Sequence, residues 1–390
     1  MRVLLRQTSE RFDSVSTDQP IDFHRRLPGY RESPLIEVPS LAKTLGVAKV
    51  LVKDETSRFG LPSFKILGAS WATFAALRER LGELPDGPLS LGGLQAWAHP
   101  IRPLTLIAAT DGNHGRAVAR VAQWLGLEAR IFVPSFVSHG RCQAIRSEGA
   151  ELIIVDGVYD DAVDAAAEAA EAADTLLISD TARSTSDLIP QLVTAGYDTA
   201  FAEVEKQISK FSDDGIDAVA IQAGVGGLAS ACTSWARSRG KSRPTRVIVV
   251  EPENAACVMA ALAAGEPIAV SANQPSEMSV LQCGTVSLTA FANLRAGVSC
   301  CLAVEDGWTR AAVSILRSCG ILTGPSGAAG VAGLIAAFSG PFSRPVREFL
   351  GLASDARLLV FASEAASASQ QTEFEDTFAG QSHVAETCAA

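Results

Sequence analysis

From about residue 48 the chain repeats one pattern, a short and almost uninterrupted apolar run followed by a longer Ala-rich stretch that reads as helix. The runs VLVK (50–53), LTLIAAT (104–110), ARIFVP (129–134) and ELIIVD (151–156) predict strands apolar on both faces. TLLIS (175–179), IDAVAIQ (216–222), TRVIVVEP (245–252) and ARLLVFAS (356–363) predict four more. Between them GRAVARVAQWLG (115–126), DAVDAAAEAAEAAD (161–174) and TRAAVSILRSCG (309–320) read as helices. Strands without a polar face need cover on both sides, so the pattern predicts an α/β fold with mostly parallel sheets flanked by helices. Two segments interrupt it. Residues 82–103 are rich in Gly and Pro and read as a connection between lobes, and the polar tail from 365 reads as a frayed end or surface cover. No internal repeat is present.

Length divides this pattern into two bodies. A chain of 390 residues exceeds what one core usually organises. The expected division is a large domain of residues 1–88 and 205–390, with a small domain of 89–204. A net charge of −10 disfavours a nucleic-acid partner, which needs clustered cations. No apolar run approaches the ~18 residues of a membrane span, and the first residues lack the apolar core of a secretion signal. A cytoplasmic protein is expected. The eight cysteines include no CxxC pair and do not cluster with the five histidines, so no metal site is expected and free thiols are the favoured state.

Five segments have residues suited to chemistry. In KDETSRFGLPSFKILGAS (53–70) a strand ends at Lys53, and Ser63 is placed to cap a helix entered by Phe64, Lys65 and Ile66. An amine between Phe and Ile at a helix start is disfavoured as a cation, which lowers its pKa and frees a lone pair for imine formation. A lysine reaching out from an amphipathic helix is the plain alternative. In ATDGNHGRAV (109–118), Asp111, Gly112, Asn113, His114 and Gly115 form a tight turn opening a helix, suited to an anion or to simple capping. In IQAGVGGLASA (221–231), Gly224, Val225, Gly226 and Gly227 can bring backbone N–H groups against a phosphate, or merely cross between elements. GPSGAAG (324–330) can open a helix with Ser326 as cap, and Ser363 in FASEAAS (361–367) sits at the end of the last strand.

The order and spacing of these segments together resemble the fold-type II pyridoxal-phosphate enzymes (the tryptophan synthase β-like group), and within them diaminopropionate ammonia-lyase. The supporting stretches include residues 33–70, ATDGNHGRAVA (109–119), GRCQAIRSEGAELIIVDGVYDDAV (140–163), SDTA (179–182), IPQLVTAGY (189–197), EPENAACVMAAL (251–262) and LQCGTVS (281–287). The Asp of DGNHG, where threonine dehydratases carry Ser, is the most discriminating letter.

The resemblance implies pyridoxal 5′-phosphate as cofactor, carried on Lys65 as a Schiff base. It implies Asn113 at the 3′ oxygen, the 224–227 loop around the phosphate, and Ser363 near the pyridine nitrogen. Lys65 and Asp111 become the proton-transferring pair. Gly112, His114 and Gly115 would hold the substrate carboxylate, and Tyr159 and Asp180 its distal amine. The implied partner is a small amino acid, the implied assembly a homodimer, and the implied reaction α,β-elimination to a keto acid and ammonia.

The chain departs from the family at Arg183–Ser186, at Gly324-Pro325-Ser326, where an acidic residue is absent, and at Glu364-Ala365. These changes keep β-replacement or cyclisation on another amino acid open as an alternative, with a non-catalytic relative as a third reading. Cys257 and Cys283 fall where the family also has cysteines, so a disulfide, if one forms, is expected there.

Overall fold

The computed structural model describes residues 1–8, 20–211, 215–239, 244–339, 341–367 and 370. Its strands are β1 (Arg2–Leu5), β2 (Leu35–Glu37), β3 (Lys49–Asp54), β4 (Thr105–Ala109), β5 (Glu128–Pro134), β6 (Glu151–Val155), β7 (Thr175–Leu177), β8 (Ala218–Gln222), β9 (Arg246–Pro252), β10 (Val298–Val304) and β11 (Arg357–Ala362). They form two sheets, one of seven strands in the order β1-β10-β9-β8-β11-β3-β2 and one of four in the order β6-β5-β4-β7. The four-stranded sheet is parallel throughout. The larger sheet is parallel across its centre, and its antiparallel edges are β1 on β10 and β2 on β3.

All eight strands expected from apolar runs are present, with ends shifted by up to two residues. Three others escaped notice. β1 and β2 are short edge strands, while β10 (VSCCLAV) is fully buried. Its Ser, two Cys and Ala dilute an apolar run into one that reads as small and polar. The segment at 82–103 is also more ordered than its Gly and Pro content suggests. It contains a helix, Leu91–Ala98, capped by Ser90, whose side chain accepts from the Gly93 N–H, and then a short 3-10 turn. The tail beyond residue 370, with Cys388, lies outside the described residues.

One helix contact matters for the site. The Lys65–Leu81 helix packs on Leu188–Gly196, and neither Gly68 nor Gly196 can bear a side chain there. A Cβ on Gly68 would lie 2.6 Å from a Tyr197 ring carbon, and one on Gly196 would strike the Leu67 backbone. This backbone-to-backbone approach fixes the first turn of the Lys65 helix against its neighbour.

Candidate active site

The placement of Lys65 starts with the loop before it. Residues 55–64 leave β3 and are tied down at both ends, the Glu55 N–H donating to the Ala362 carbonyl at 2.9 Å and Ser63 pairing with Glu364. Arg58, buried within the loop, donates to Glu55 at 2.6 and 2.9 Å and to Glu203 at 2.7 and 2.8 Å. Lys53 adds a 2.7 Å bond to Glu203, and Tyr30 a further 2.7 Å donation. Phe59 takes the left-handed conformation (φ 53°), its carbonyl accepts from Arg120 at 3.2 Å, and its ring meets Trp124 edge-on. Arg120 and Trp124 belong to the Asn113–Leu125 helix, so one loop connects the helix that starts with Lys65 to the helix that starts with Asn113.

The Lys65 helix begins one residue later than Ser63 capping would place it, with Lys65 itself the first helical residue and its N–H 3.5 Å from the Ser63 hydroxyl. The long side chain reaches Asp180, just past β7, at 2.6 Å. Burial alone would depress the amine, as expected from its apolar neighbours. The Asp180 carboxylate outweighs that effect and holds Lys65 above the ordinary lysine range. The expectation of a depressed pKa therefore fails, because the counter-ion lies 115 residues away in sequence.

One pocket gathers Lys65, Asp111, Asn113, Tyr159, Asp180, Gly224, Val225, Gly226, Gly227 and Ser363. They come from the C-terminal ends of β3, β4, β6, β7, β8 and β11 and the elements that follow, the usual position for ligands in open α/β sheets. The 224–227 loop is shaped by close contacts. A Cβ on Gly224 would meet the Cys283 sulfur at 3.0 Å, and Gly226 has φ 97°, which favours glycine. Its end is the N-terminus of the Gly227–Ser238 helix, whose first N–H groups have no partner within the helix.

Four side chains of the same wall that carry a polar or sulfur atom were not singled out from the sequence as site residues, Tyr197, Gln222, Cys283 and Glu364. Gln222 donates to the Ser363 hydroxyl at 2.5 Å, and Asn113 donates to Glu364 at 2.5 Å. Tyr197 and Cys283 lie within stretches that carried the resemblance, and Glu364 follows Ser363 directly. Gly112, His114 and Gly115 sit behind the wall. His114 turns away, its Nε2 2.7 Å from the Ile178 carbonyl and its Nδ1 3.9 Å from Asp180. Gly115 is packed against Thr110 and Ile131.

The electrostatics separate the three carboxyls. Burial raises Asp111 to about 6, against the opposing pull of Arg141 and Lys65. Asp180 is also buried, but His114 and Lys65 hold it below the carboxylate range. Glu364 is raised by burial, opposed by Arg141 and by hydrogen bonds from Asn113 and Ser326. Tyr159 donates to Asp180 at 3.4 Å and stays a neutral phenol, chiefly through burial. Cys257 and Cys283 are free thiols, as are all seven cysteines among the described residues, and Cys257 donates to the Gly224 carbonyl at 3.4 Å.

An amine projecting into a pocket opposite a glycine loop at a helix start suits a molecule with an aldehyde at one end and a phosphate at the other. The neutral donors and acceptors between them, Asn113 and Ser363, suit a polar aromatic ring. These residues fit pyridoxal phosphate. Residues 26–345 match the family described as pyridoxal-phosphate dependent enzyme, and the chain belongs to that family. Within it the chain falls with the diaminopropionate ammonia-lyases. It is 32% identical to that of Salmonella typhimurium over 352 residues, 88% of this chain and 87% of the relative. Against that of Escherichia coli K12 it is 32% identical over 363 residues, 92% and 90% of the two chains. The crystal structure of the Escherichia coli lyase in complex with an aminoacrylate-PLP azomethine reaction intermediate superposes with a TM-score of 0.83 at 28% identity, covering 95% of each chain.

Proposed function

We propose that the chain eliminates ammonia from 2,3-diaminopropionate, or a closely related β-substituted amino acid, to give a keto acid. The observation carrying this is the placement of Lys65 and Asp111 on one pocket wall with unlike protonation, an amine paired to Asp180 and a carboxyl raised to about 6. Groups with pKa values pushed apart are what acid–base work near neutral pH requires. Pyridoxal phosphate supplies the electron sink that acidifies the substrate Cα–H. Lys65 Nζ, once it has given up the proton it holds against Asp180, takes that proton from one face. The Asp111 carboxyl takes it from the other face, or delivers one to the departing β-amino group, which leaves well only as ammonia. Asp180 and Tyr159 bind the distal amine, and the carboxylate rests against the turn that opens the Asn113 helix, where Asp111 and Asn113 reach the wall.

The test is an absorbance spectrum followed by product analysis. Purified protein should show a visible imine band, removed by borohydride, and release pyruvate and ammonia from 2,3-diaminopropionate. No turnover of either enantiomer would reject the lyase reading. A second reading, β-replacement or cyclisation, draws on the altered segments. At 183–186 the chain closes on itself, Asp187 accepting from the Arg183 and Ser184 N–H groups at 2.8 and 2.9 Å. A non-keto product from a screen of amino acids plus nucleophiles would favour it.

No helix among the described residues is long and apolar enough to cross a membrane. The same reading carries a cytoplasmic homodimer, with a large domain of 1–88 and 205–390 and a small one of 89–204. Light scattering tests the assembly, and the strands of the four-stranded sheet all lie within 89–204.

A further inference from the structure

Most polar side chains of the pocket are spent on one another. Lys65 and Tyr159 are bonded to Asp180, Asn113 to Glu364, and Gln222 to Ser363. Tyr197 is different. It lines the pocket at 1% exposure, and its buried hydroxyl makes no hydrogen bond of standard geometry, although the Lys65 amine lies near enough to act on it. A buried donor left unpaired is unfavourable, and a ligand that accepts from it relieves this. The other unpartnered atoms nearby do not offer the same service. Gln222 Oε1 is an acceptor, and His114 Nδ1 lies 3.9 Å from Asp180.

The ring is held where it is. One edge presses on Gly68, where a Cβ would come within 2.6 Å, and Phe64 meets the ring edge-on at a centroid distance of 4.8 Å. The other edge faces Gly227, with 3.6 Å from ring carbon to an added Cβ. The phenol is thus wedged between the first turn of the Lys65 helix and the N-terminus of the Gly227–Ser238 helix. Burial, the largest effect on it, keeps the phenol protonated, opposed by the nearby Lys65. The neutral phenol O–H lines the same pocket as the glycine loop and lies close to the Lys65 cation, and a donor shared with that cation and with a helix N-terminus favours an anionic acceptor.

We propose that Tyr197 is a cofactor-binding residue whose hydroxyl donates to the phosphate of pyridoxal phosphate, completing the 224–227 cradle with a side-chain donor. This rests on the pyridoxal-phosphate reading of the pocket. It is tested by a two-by-two comparison of binding, using wild type and Tyr197→Phe, each stripped of cofactor and titrated with pyridoxal phosphate or with pyridoxal. The variant should bind pyridoxal phosphate about tenfold more weakly, the loss of one charge-assisted hydrogen bond, and bind pyridoxal within about twofold of wild type. Equal weakening for both ligands, or none for pyridoxal phosphate, overturns the assignment. If wild type forms no imine band with either ligand, the reading beneath it fails as well. A second measurement is independent of the variant's folding. With fluorotyrosine incorporated, the Tyr197 19F resonance, identified as the one retained when Tyr30 and Tyr159 are changed to Phe, should shift with pyridoxal phosphate and not with pyridoxal. The absence of any such difference overturns the proposal too.

Discussion

Two clusters of buried charge, centred on residues only seven apart in sequence, are built on opposite principles. Around Arg58, two cations (Lys53, Arg58) face two carboxylates (Glu55, Glu203), with side chains at most 1% exposed. The carboxylates and the guanidinium are saturated by hydrogen bonds, including those from Tyr30 and Ser33. Around Lys65 the pairing is incomplete. Asp111 has a pKa raised to about 6, and the Tyr197 hydroxyl is unspent. A closed network of charge is a structural device, since desolvation offsets most of its attraction and what remains is the specificity of one arrangement. An open one keeps groups whose protonation can change. The first cluster holds the loop, and the second, under the function proposed above, does the chemistry at the loop's end.

The largest effect should come from Lys65→Ala, which removes the only amine on the pocket wall. It should abolish the imine band and reduce turnover by about 10⁴-fold or more, with folding retained by circular dichroism. Arg58→Met probes the other cluster by leaving two carboxylates buried and short of their cation. We expect it to destabilise the fold by about 3–5 kcal/mol in urea denaturation, and a change below 1 kcal/mol would break the contrast drawn above. Asp111→Asn should keep the imine band while cutting turnover by about 10²–10⁴-fold for one enantiomer or for the amine leaving group. With the substrate whose proton faces Asp111, kcat/KM should rise through about pH 6 in wild type, and this limb should vanish in the variant.

The saturated cluster also has a pH signature. Burial would raise Glu203, but Arg58 and Lys53 lower it from 4.5 to about 2. A depressed carboxyl contributes stability that is present above pH 4.5 and lost as the pH falls towards 2, so acid unfolding should steepen across that window and flatten in Glu203→Gln. The smallest effect belongs to Tyr159→Phe. Its 3.4 Å bond to Asp180 is long, so KM should change by less than about fivefold with the imine band intact.

Much of the site was legible because the chain writes it as contiguous strings. A glycine loop after a strand, or DGNHG opening a helix, carries its geometry in local backbone preferences. The eight strands written as apolar runs were legible for the same reason, although β6 and β7, at the edges of the four-stranded sheet, are only partly buried. β10 was not, because Ser299, Cys300 and Cys301 are as buried as valine yet look polar in a row. The Leu91–Ala98 helix was masked by two glycines, and the cap that secures it is a single serine.

By itself the sequence determined the strand–helix alternation, the lysine, the glycine cradle and the family. These depend on neighbours within a few residues. Tertiary structure alone decided the charge of Lys65, which the carboxylate from β7 reverses from the direction its own helix start implies. It also decided which tyrosine has an unspent hydroxyl and which residues of DGNHG reach the wall. Electrostatics and hydrogen bonding act over a few ångströms of space, and the groups that meet at this pocket come from strand ends more than 300 residues apart in the chain, from β3 at Lys49–Asp54 to β11 at Arg357–Ala362.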